Sequence, residues 1–462
     1  MHELSLVRSR FSLKVSVTTL IVSLAFVFRF ASPVSADLSY VLLALLAFLG
    51  RRQAIIALAL SWCFTMINPG LVPEKSFGSI GLYVVIMAAA ASVLLRFKLK
   101  SKGSLGGLIW ATWLFAAFVF MHSLFVSPFV DVSLLKLILW VIVFLTLLSA
   151  WSGLMPDARA RLANQLFWAF AVLALLSLPL MFLPVGYLRN GSGFQGLLNH
   201  PQAFGLAMAF LAAWAFTRVL SVRRVMFAEL AVFFLALLLI IASESRTAGV
   251  ALLLAIFTTL GLVKLTRRKR LKSLLPVFQS KNFRFLVLVV ALASLIFAPK
   301  IAQVANHYLT KSGRADVSDL ISVFAESREV LYLPMLENIA AEPWRGIGFG
   351  IASNPQLQVV HRDPLLGLPI SAPVEKGTMP LAILEELGVL GFGVFVLWLL
   401  IALRYAIKGG VISLALILVT LLLNLGEAIL LSPGGMGLLA ILFFTYAVTF
   451  SANERHKPGH VE

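Results

Sequence analysis

Apolar runs recur along nearly the whole chain, most of them longer than about ten residues, with Gly and Pro falling mainly between them. In a bilayer every backbone amide and carbonyl must be satisfied without water, so continuous runs of this kind close on themselves as helices. The period-two alternation that marks the strands of a membrane barrel does not appear. Hydrophobic residues make up 60% of the 462-residue chain and charged residues only 13%, far from the composition of a soluble domain. The predicted class is all-α: a polytopic membrane helical bundle.

Apolar runs and basic loops together predict helices near residues 15–31, 39–50, 53–68, 77–95, 105–125, 134–152, 165–187, 203–220, 228–243, 248–265, 285–300, 379–403, 411–429 and 437–451. That amounts to about 12–14 transmembrane helices. The second and third are short and read as one re-entrant or strongly tilted pair. "VSA" at Val34 to Ala36 has the form of a signal-peptidase site, but Arg29 spoils the preceding run as a signal segment, so a retained first helix is expected. Residues 1–300 then form an N-terminal set of membrane helices, 301–378 a large outer loop, and 379–462 a C-terminal set. Within the loop, Val317, Leu320, Ile321 and Phe324 have the spacing of a helix lying on an apolar surface, and Pro334 is expected to bend or break it. "PWRGIGFGIASNP" reads as a Gly-rich turn region.

The formal net charge of +18 is a topology signal. Lys and Arg gather at every second loop: Arg8, Arg10 and Lys14; Arg51 and Arg52; "RFKLKSK" from Arg96; Arg159 and Arg161; Arg223 and Arg224; "KLTRRKR" from Lys264; Arg404 and Lys408; Arg455 and Lys457. This positive-inside pattern predicts both termini in the cytoplasm and no nucleic-acid partner. The single Cys63 excludes internal disulfides and cysteine metal sites. His307 and His361 lack metal-ligand spacing, so neither metal nor other cofactor is expected.

Sorted by side, the ionisable residues outside the basic loops gather at the outer face. They are Arg189 and His200 in "LRNGSGFQGLLNHPQAFG", Glu244 and Arg246 in "ASESRTAGV", Arg328 and Arg345 in the large loop, Glu375 and Lys376, Glu385 and Glu386, and Glu427. Charges at the borders of membrane helices are functional candidates, because without a partner their desolvation is costly. Arg246 sits in a turn of about four residues between two apolar helices and is pinned at the interface, where snorkelling to headgroups or pairing with Glu244 is the structural alternative. With Arg189 and Arg328 it makes a set of guanidinium groups suited to bidentate contact with phosphate. His200, before Pro201, suits the first turn of a helix, and His122 reads as an interfacial side chain. Glu385 and Glu386 lie about 100° apart on a helix, so they are expected to face apart, one toward a loop-covered cavity and one toward a neighbouring helix. Gly388, Gly391 and Gly393 offer close packing to that neighbour.

The succession of "GLLNHPQAFG", "SESRTAG", "SREVLYLPMLENIAAEPWRGIGFG" and "EKGTMPLAILEELGVLG" resembles the superfamily of O-antigen ligases and Wzy-type polysaccharide polymerases, over roughly Leu188 to Phe395. The resemblance implies a GT-C-like, metal-independent glycosyltransferase of the bacterial inner membrane. Its donor would be an undecaprenyl-pyrophosphate-linked glycan, its acceptor a glycan or lipid, its active face periplasmic, and a chain-length regulator a candidate partner. By position, Arg246 and Arg328 would contact the pyrophosphate, and "EPWRGIGFG" would supply a Pro-x-x-Gly-x-Gly turn. Arg189, His200, Glu244, Arg345, Glu386 and Glu427 are the further candidates for substrate contact. Ligases of the family carry a His-Asn pair before the helix that follows the loop; here the chain reads Glu375-Lys376-Gly377. That departure makes Glu375 the candidate general base, with Lys376 beside it, and favours a polymerase or exopolysaccharide transferase over a lipid A core ligase. The competing reading is a transporter or flippase of lipid-linked glycans.

Overall fold

The structure is a computed structural model that describes residues 16–74, 80–96, 105–188, 193–222, 226–267, 275–310, 320–362, 367, 369–372, 374 and 376–450. Among these, sixteen α-helices carry the chain. They are α1 (Val17–Ala31), α2 (Pro33–Phe48), α3 (Arg51–Met66), α4 (Ile80–Ala90, continued by a π turn over Ala91–Leu95), α5 (Gly106–Val126), α6 (Val130–Ser152), α7 (Pro156–Ser177), α8 (Pro201–Leu220), α9 (Phe227–Ala242), α10 (Arg246–Arg267), α11 (Lys281–Ile296), α12 (Ala298–Thr310), α13 (Leu320–Ala341), α14 (Met379–Gly409), α15 (Val411–Leu423) and α16 (Met436–Thr449). The only paired strands among the described residues are β1 (His361–Arg362) and β2 (Pro369–Ser371), which form a short antiparallel ladder. The all-α polytopic bundle expected from the apolar runs is the architecture observed.

Among the described residues, six helices are long and apolar enough to cross a membrane by themselves, α5, α6, α7 with its 3-10 extension to Phe182, α8, α10 and α14, or seven if the α11–α12 pair counts as one broken span bent by 78°. Six further apolar elements, α1, α2, α4 with its π turn, α9, α15 and α16, run 13 to 16 residues. At 1.5 Å per residue these fall short of a full hydrocarbon core, which is why a length criterion counts fewer spans than apolar runs alone. The short second and third runs, expected as one re-entrant or strongly tilted pair, are two consecutive 16-residue helices, α2 and α3.

Helix α8 is almost wholly buried, and its composition explains how. Ala203, Gly205, Ala207, Ala209, Ala212, Ala213 and Ala215 keep its surface thin, so α7, α9, α10 and α15 approach closely. Beside it an aromatic column joins α5, α6, α14 and α16. Trp398 stacks on Phe444 with ring centres 5.3 Å apart, while Phe115 and Trp140 meet edge to face at 5.7 Å. The indole N–H groups of this column are satisfied inside the bundle, Trp398 donating to Thr112 Oγ1 and Trp140 to the Leu430 carbonyl, both at 3.0 Å.

Between α11 and α14 the predicted loop helix is present as α13, and it runs through Pro334 without a break. The missing amide costs one backbone bond, but Met335 is fully buried just beyond it and Asn338 is tied to two other segments, so tertiary contacts hold the helix together.

Candidate functional site

The segment before α8 is fixed by main-chain bonds to distant parts of the bundle. The Asn68 amide donates to the Leu197 carbonyl at 2.8 Å and the Asn199 amide to the Met66 carbonyl at 2.7 Å, while the Asn68 side chain donates to the carbonyls of Val185 and Gly196. The chain turns from this seam into α8 at His200, whose extended backbone makes it the N-cap and whose Nδ1 accepts from the Gln202 amide at 3.2 Å. The expectation of a helix-entrance histidine is met.

The stretch "EELG" forms a break in a membrane helix. Gly388 adopts φ 65°, ψ −175° inside α14, a conformation open essentially to glycine alone. The break leaves carbonyls and an amide without helical partners, and the Gly-rich turn supplies them. Ile347 and Gly348 amides donate to the carbonyls of Glu385 and Glu386 at 2.9 and 3.0 Å, and the Val389 amide donates to the Pro343 carbonyl at 2.9 Å. The approach is so close that a Cβ on Gly388 would lie 2.3 Å from the Trp344 carbonyl oxygen, and one on Gly346 2.6 Å from that of Glu385. Gly346, Gly348 and Gly350 all have φ in the left-handed range, which answers why this turn is Gly-rich.

Four charged side chains meet at the break. Lys376 Nζ lies 2.6 Å from Glu385 Oε2 and 3.2 Å from Glu386 Oε1; Lys136, on the second turn of α6, lies 3.7 Å from Glu386 Oε2. Glu386 also accepts from the Gly350 amide and Glu385 from the Asn338 side chain, both at 2.7 Å. The two glutamates were expected to face apart. Glu386 does line a cavity and Glu385 does reach a neighbouring helix, α13, yet both carboxylates also converge on Lys376, because the segment before α14 folds back along its first turns. Gly391 packs against Phe118 as expected of a close approach, whereas Gly393 has no neighbour within 4 Å of where a side chain would begin and supports no contact.

A cavity of about 640 Å³ opens at this end of the bundle, within the usual range for small-ligand sites. His200, Lys136, Lys376, Glu386 and Glu427 line it, with Tyr83 and Gln202 as further polar walls. Glu427 belongs to the α15–α16 connection, a turn held by Asn424, whose Oδ1 accepts from the amides of Ile429 and Leu430 at 2.9 Å each. The described cations facing this cavity are therefore lysines. Arg246 opens α10 and is not among its lining residues; Arg345 is exposed and lies 4.0 Å from Glu342, while its carbonyl meets His122 Nε2 at 2.5 Å. Arg189 and Glu375 lie outside the described residues, and Arg328 belongs to the part of α13 where only the backbone is described.

Glu244 faces a second, smaller cavity of about 410 Å³ with Gln303, Val304 and Tyr308. It is the one described non-glycine residue with positive φ, 54°, and it makes the three-residue turn between α9 and α10 possible. Gly205 and Gly426 press on that turn, leaving no room for side chains of their own against Ser245 and Thr247. The Tyr308 hydroxyl donates to the Ser245 carbonyl.

Sequence reasoning did not single out Lys136, Asn338 or Asn424. Lys136 is a lone cation in "VSLLKLILW", which is itself the signal; the two asparagines carry none beyond their polarity in apolar surroundings. The ends of α3, α4, α8 and α14 away from the cavity carry Arg51 and Arg52, Arg96, Arg218, and Arg404 and Lys408. No protein-family model matches the chain, and no curated protein matches it.

Proposed function

We propose that this multi-pass membrane protein is an inner-membrane glycosyltransferase that transfers or polymerises undecaprenyl-pyrophosphate-linked glycan at the periplasmic face. The observation that carries the reading is convergence. Segments that resemble the ligase and polymerase superfamily one by one, "NHPQ", "GIGFG" and "EKGTMPLAILEELG", together wall one cavity through His200, Gly350, Lys376 and Glu386. That cavity lies away from the basic helix ends, and the positive-inside rule assigns those ends to the cytoplasm.

The chemistry asks for positioning and charge. An acceptor hydroxyl oxygen attacks the anomeric carbon, the carbon–oxygen bond to the pyrophosphate breaks, and the hydroxyl proton passes to a base, for which Glu375 is the candidate. A single displacement inverts the anomeric centre. Cationic groups stabilise the charge that grows on the lipid pyrophosphate, the part that the resemblance implies for Arg246 and Arg328, while Lys136 and Lys376 are the described cations that face the cavity. No step requires a metal. Substituting Ala singly for Arg246 or Arg328 is expected to abolish polymer or ligated product while the protein still accumulates in the membrane; normal product from both variants rejects the reading. Long lipid-linked polymer in the wild type identifies a polymerase, and glycan on a lipid A core or protein a ligase. Sidedness is tested by Cys63→Ser protein carrying one new cysteine, at Ser432 or at Arg52, which a membrane-impermeant thiol reagent should label from opposite sides.

One observation favours a second reading, a carrier of lipid-linked glycans: α14 is interrupted at Gly388 and the α11–α12 pair is bent by 78°. Purified protein given a lipid-linked oligosaccharide discriminates, since a carrier forms no new glycosidic bond.

A further inference from the structure

The break in α14 stands at a level that two helices fix independently. From Gly388 to Lys408, near the far end of α14, the helix rises about 30 Å, one hydrocarbon thickness. Residues Met379 to Leu387 then project about 13 Å beyond it. On α5, exposed apolar side chains continue to Phe125, about 28 Å from the start of the helix at Gly106. His122, less than a turn before Phe125, meets the Arg345 carbonyl, while the Trp344 carbonyl lies against Gly388 and the Pro343 carbonyl accepts from Val389. The Pro343–Arg345 turn therefore sits where both spans end.

The outward face of this turn differs from that of a loop in water. Trp344 is 66% exposed, and the Arg345 and Glu342 side chains are exposed beside it. On α13, Leu333, Leu336 and Ala340 are exposed, and with Trp344 they succeed one another at intervals of three and four, the spacing of one helical stripe. The opposite side of α13 is the packed one, with Met335 fully buried and Asn338 bonded to Glu385. We propose that the exposed stripe is a lipid contact: Leu333, Leu336 and Trp344 enter the acyl-chain boundary of the leaflet at the cavity end, and Arg345 reaches the lipid phosphates.

Three observations select lipid over a second copy of the chain or another protein. The stripe is continuous with span surfaces, because Val389 and Leu390 on α14 and Phe125 on α5 are exposed next to the turn. Its end carries an exposed indole beside a guanidinium, a pair suited to the headgroup layer, where the ring is half immersed and the cation meets phosphate. Its level is the one at which the two spans run out of hydrocarbon length. With the stripe so seated, Lys376 and Glu386 stand in the headgroup layer and the cavity they line opens at that depth. None of this depends on what the cavity binds.

The test uses full-length Cys63→Ser protein in phosphatidylcholine and phosphatidylglycerol nanodiscs, carrying a nitroxide at one new cysteine. The sites are Leu333→Cys, Leu336→Cys, Leu390→Cys past the break, and Gln356→Cys, exposed in the loop. Power saturation compares collision with oxygen, which concentrates in acyl chains, and with a water-soluble nickel chelate. Leu333→Cys and Leu336→Cys should share the high oxygen-to-nickel ratio of Leu390→Cys, and Gln356→Cys should show the reverse. A nickel-dominated ratio on α13 places the stripe in water and overturns the proposal. Low collision with both reagents means that protein covers the stripe, which overturns it equally. A second measurement leaves α13 untouched: the fluorescence difference between wild type and Trp344→Leu isolates one of the nine tryptophans. That signal should be quenched more by lipids brominated near the headgroup than by lipids brominated near the chain ends; quenching by neither, or the opposite order, rejects the assigned depth.

Discussion

Lys376 Nζ and Glu385 Oε2 lie 2.6 Å apart, with side chains only 2% and 0% exposed, although they stand nine positions apart in the chain, on either side of the start of α14. The pairing requires the segment before α14 to run back beside the first turns of the helix. Glu386 joins from the next position, and Lys136 approaches from α6, so the helix break, the Gly-rich turn and the cavity wall are fastened by one group of charges. The formal charges of the four cancel, which lets the group sit deep in an apolar bundle without an unpaired ion.

Removing Lys376 should therefore act on folding first. Lys376→Met leaves two buried carboxylates without their shared cation, and a loss of about 3–5 kcal/mol is expected, the range for breaking a buried pair from one side. Adding Glu385→Gln should recover part of it. The measurement is the unfolding midpoint in mixed micelles with increasing SDS; a single variant as stable as wild type would show that the pair is not held in the membrane.

The glycines of α14 should divide sharply. Gly388→Ala forces a side chain into a glycine-only conformation and against the Trp344 carbonyl, at a cost of at least about 1–3 kcal/mol, and it should release the turn that docks there. Gly393→Ala meets nothing and replaces a poor helix former by the best one, so it should be neutral or slightly stabilising. Protease sensitivity of the segment around Trp344 reads out both, and equal behaviour of the two variants would contradict the docked break.

These contrasts show which parts of the fold could be read from composition and order. Helix existence followed from the apolar runs because burial of backbone in a bilayer leaves few alternatives. The glutamates of "EELG" were recognisable as charges in a span, because two acids inside an apolar run stand out. The break at Gly388 was hidden, since a glycine at helical spacing has the same letter whether it packs against a neighbour or ends the helix. Convergence of both carboxylates on Lys376 was hidden for a different reason: it depends on the path of the preceding segment, which helical geometry does not constrain. Lys136 could not be placed at the cavity from the sequence because it is brought in by α6, far away in sequence, with its stem laid against Gly350 and its ammonium over Phe349.

Asn424 is expected to be as critical as any charge. It is 1% exposed, its Oδ1 holds the amides of Ile429 and Leu430, and its carbonyl accepts from the Met379 amide at 2.9 Å, joining the Glu427 turn to the start of α14. Asn424→Ala orphans two buried amides at about 1–3 kcal/mol each. Asn424→Leu should be no better, since bulk does not replace an acceptor. An SDS unfolding midpoint unchanged by Asn424→Ala would remove this turn from the set of fixed cavity walls.

The two lysines of the cavity should separate by role. Lys136 is 26% exposed at its side chain, lies over the Phe349 ring with Nζ 4.6 Å from its centre, and stands 3.7 Å from a Glu386 carboxylate that Gly350 and Lys376 already satisfy. Lys136→Met therefore leaves no carboxylate without a partner and should cost far less stability than Lys376→Met. Its ammonium faces the cavity, so the same change removes a cation from the wall that an anionic donor would meet, and product formation should fall about tenfold or more with the protein still folded. Lys136→Arg, which keeps the charge but must fit a planar head beside Gly350, should retain part of the activity. The comparison is made on matched amounts of purified protein, with SDS midpoint and glycan product measured in parallel. If Lys136→Met proves as destabilising as Lys376→Met, Lys136 belongs to the fastening of the helix break and the cavity's cation must be sought elsewhere.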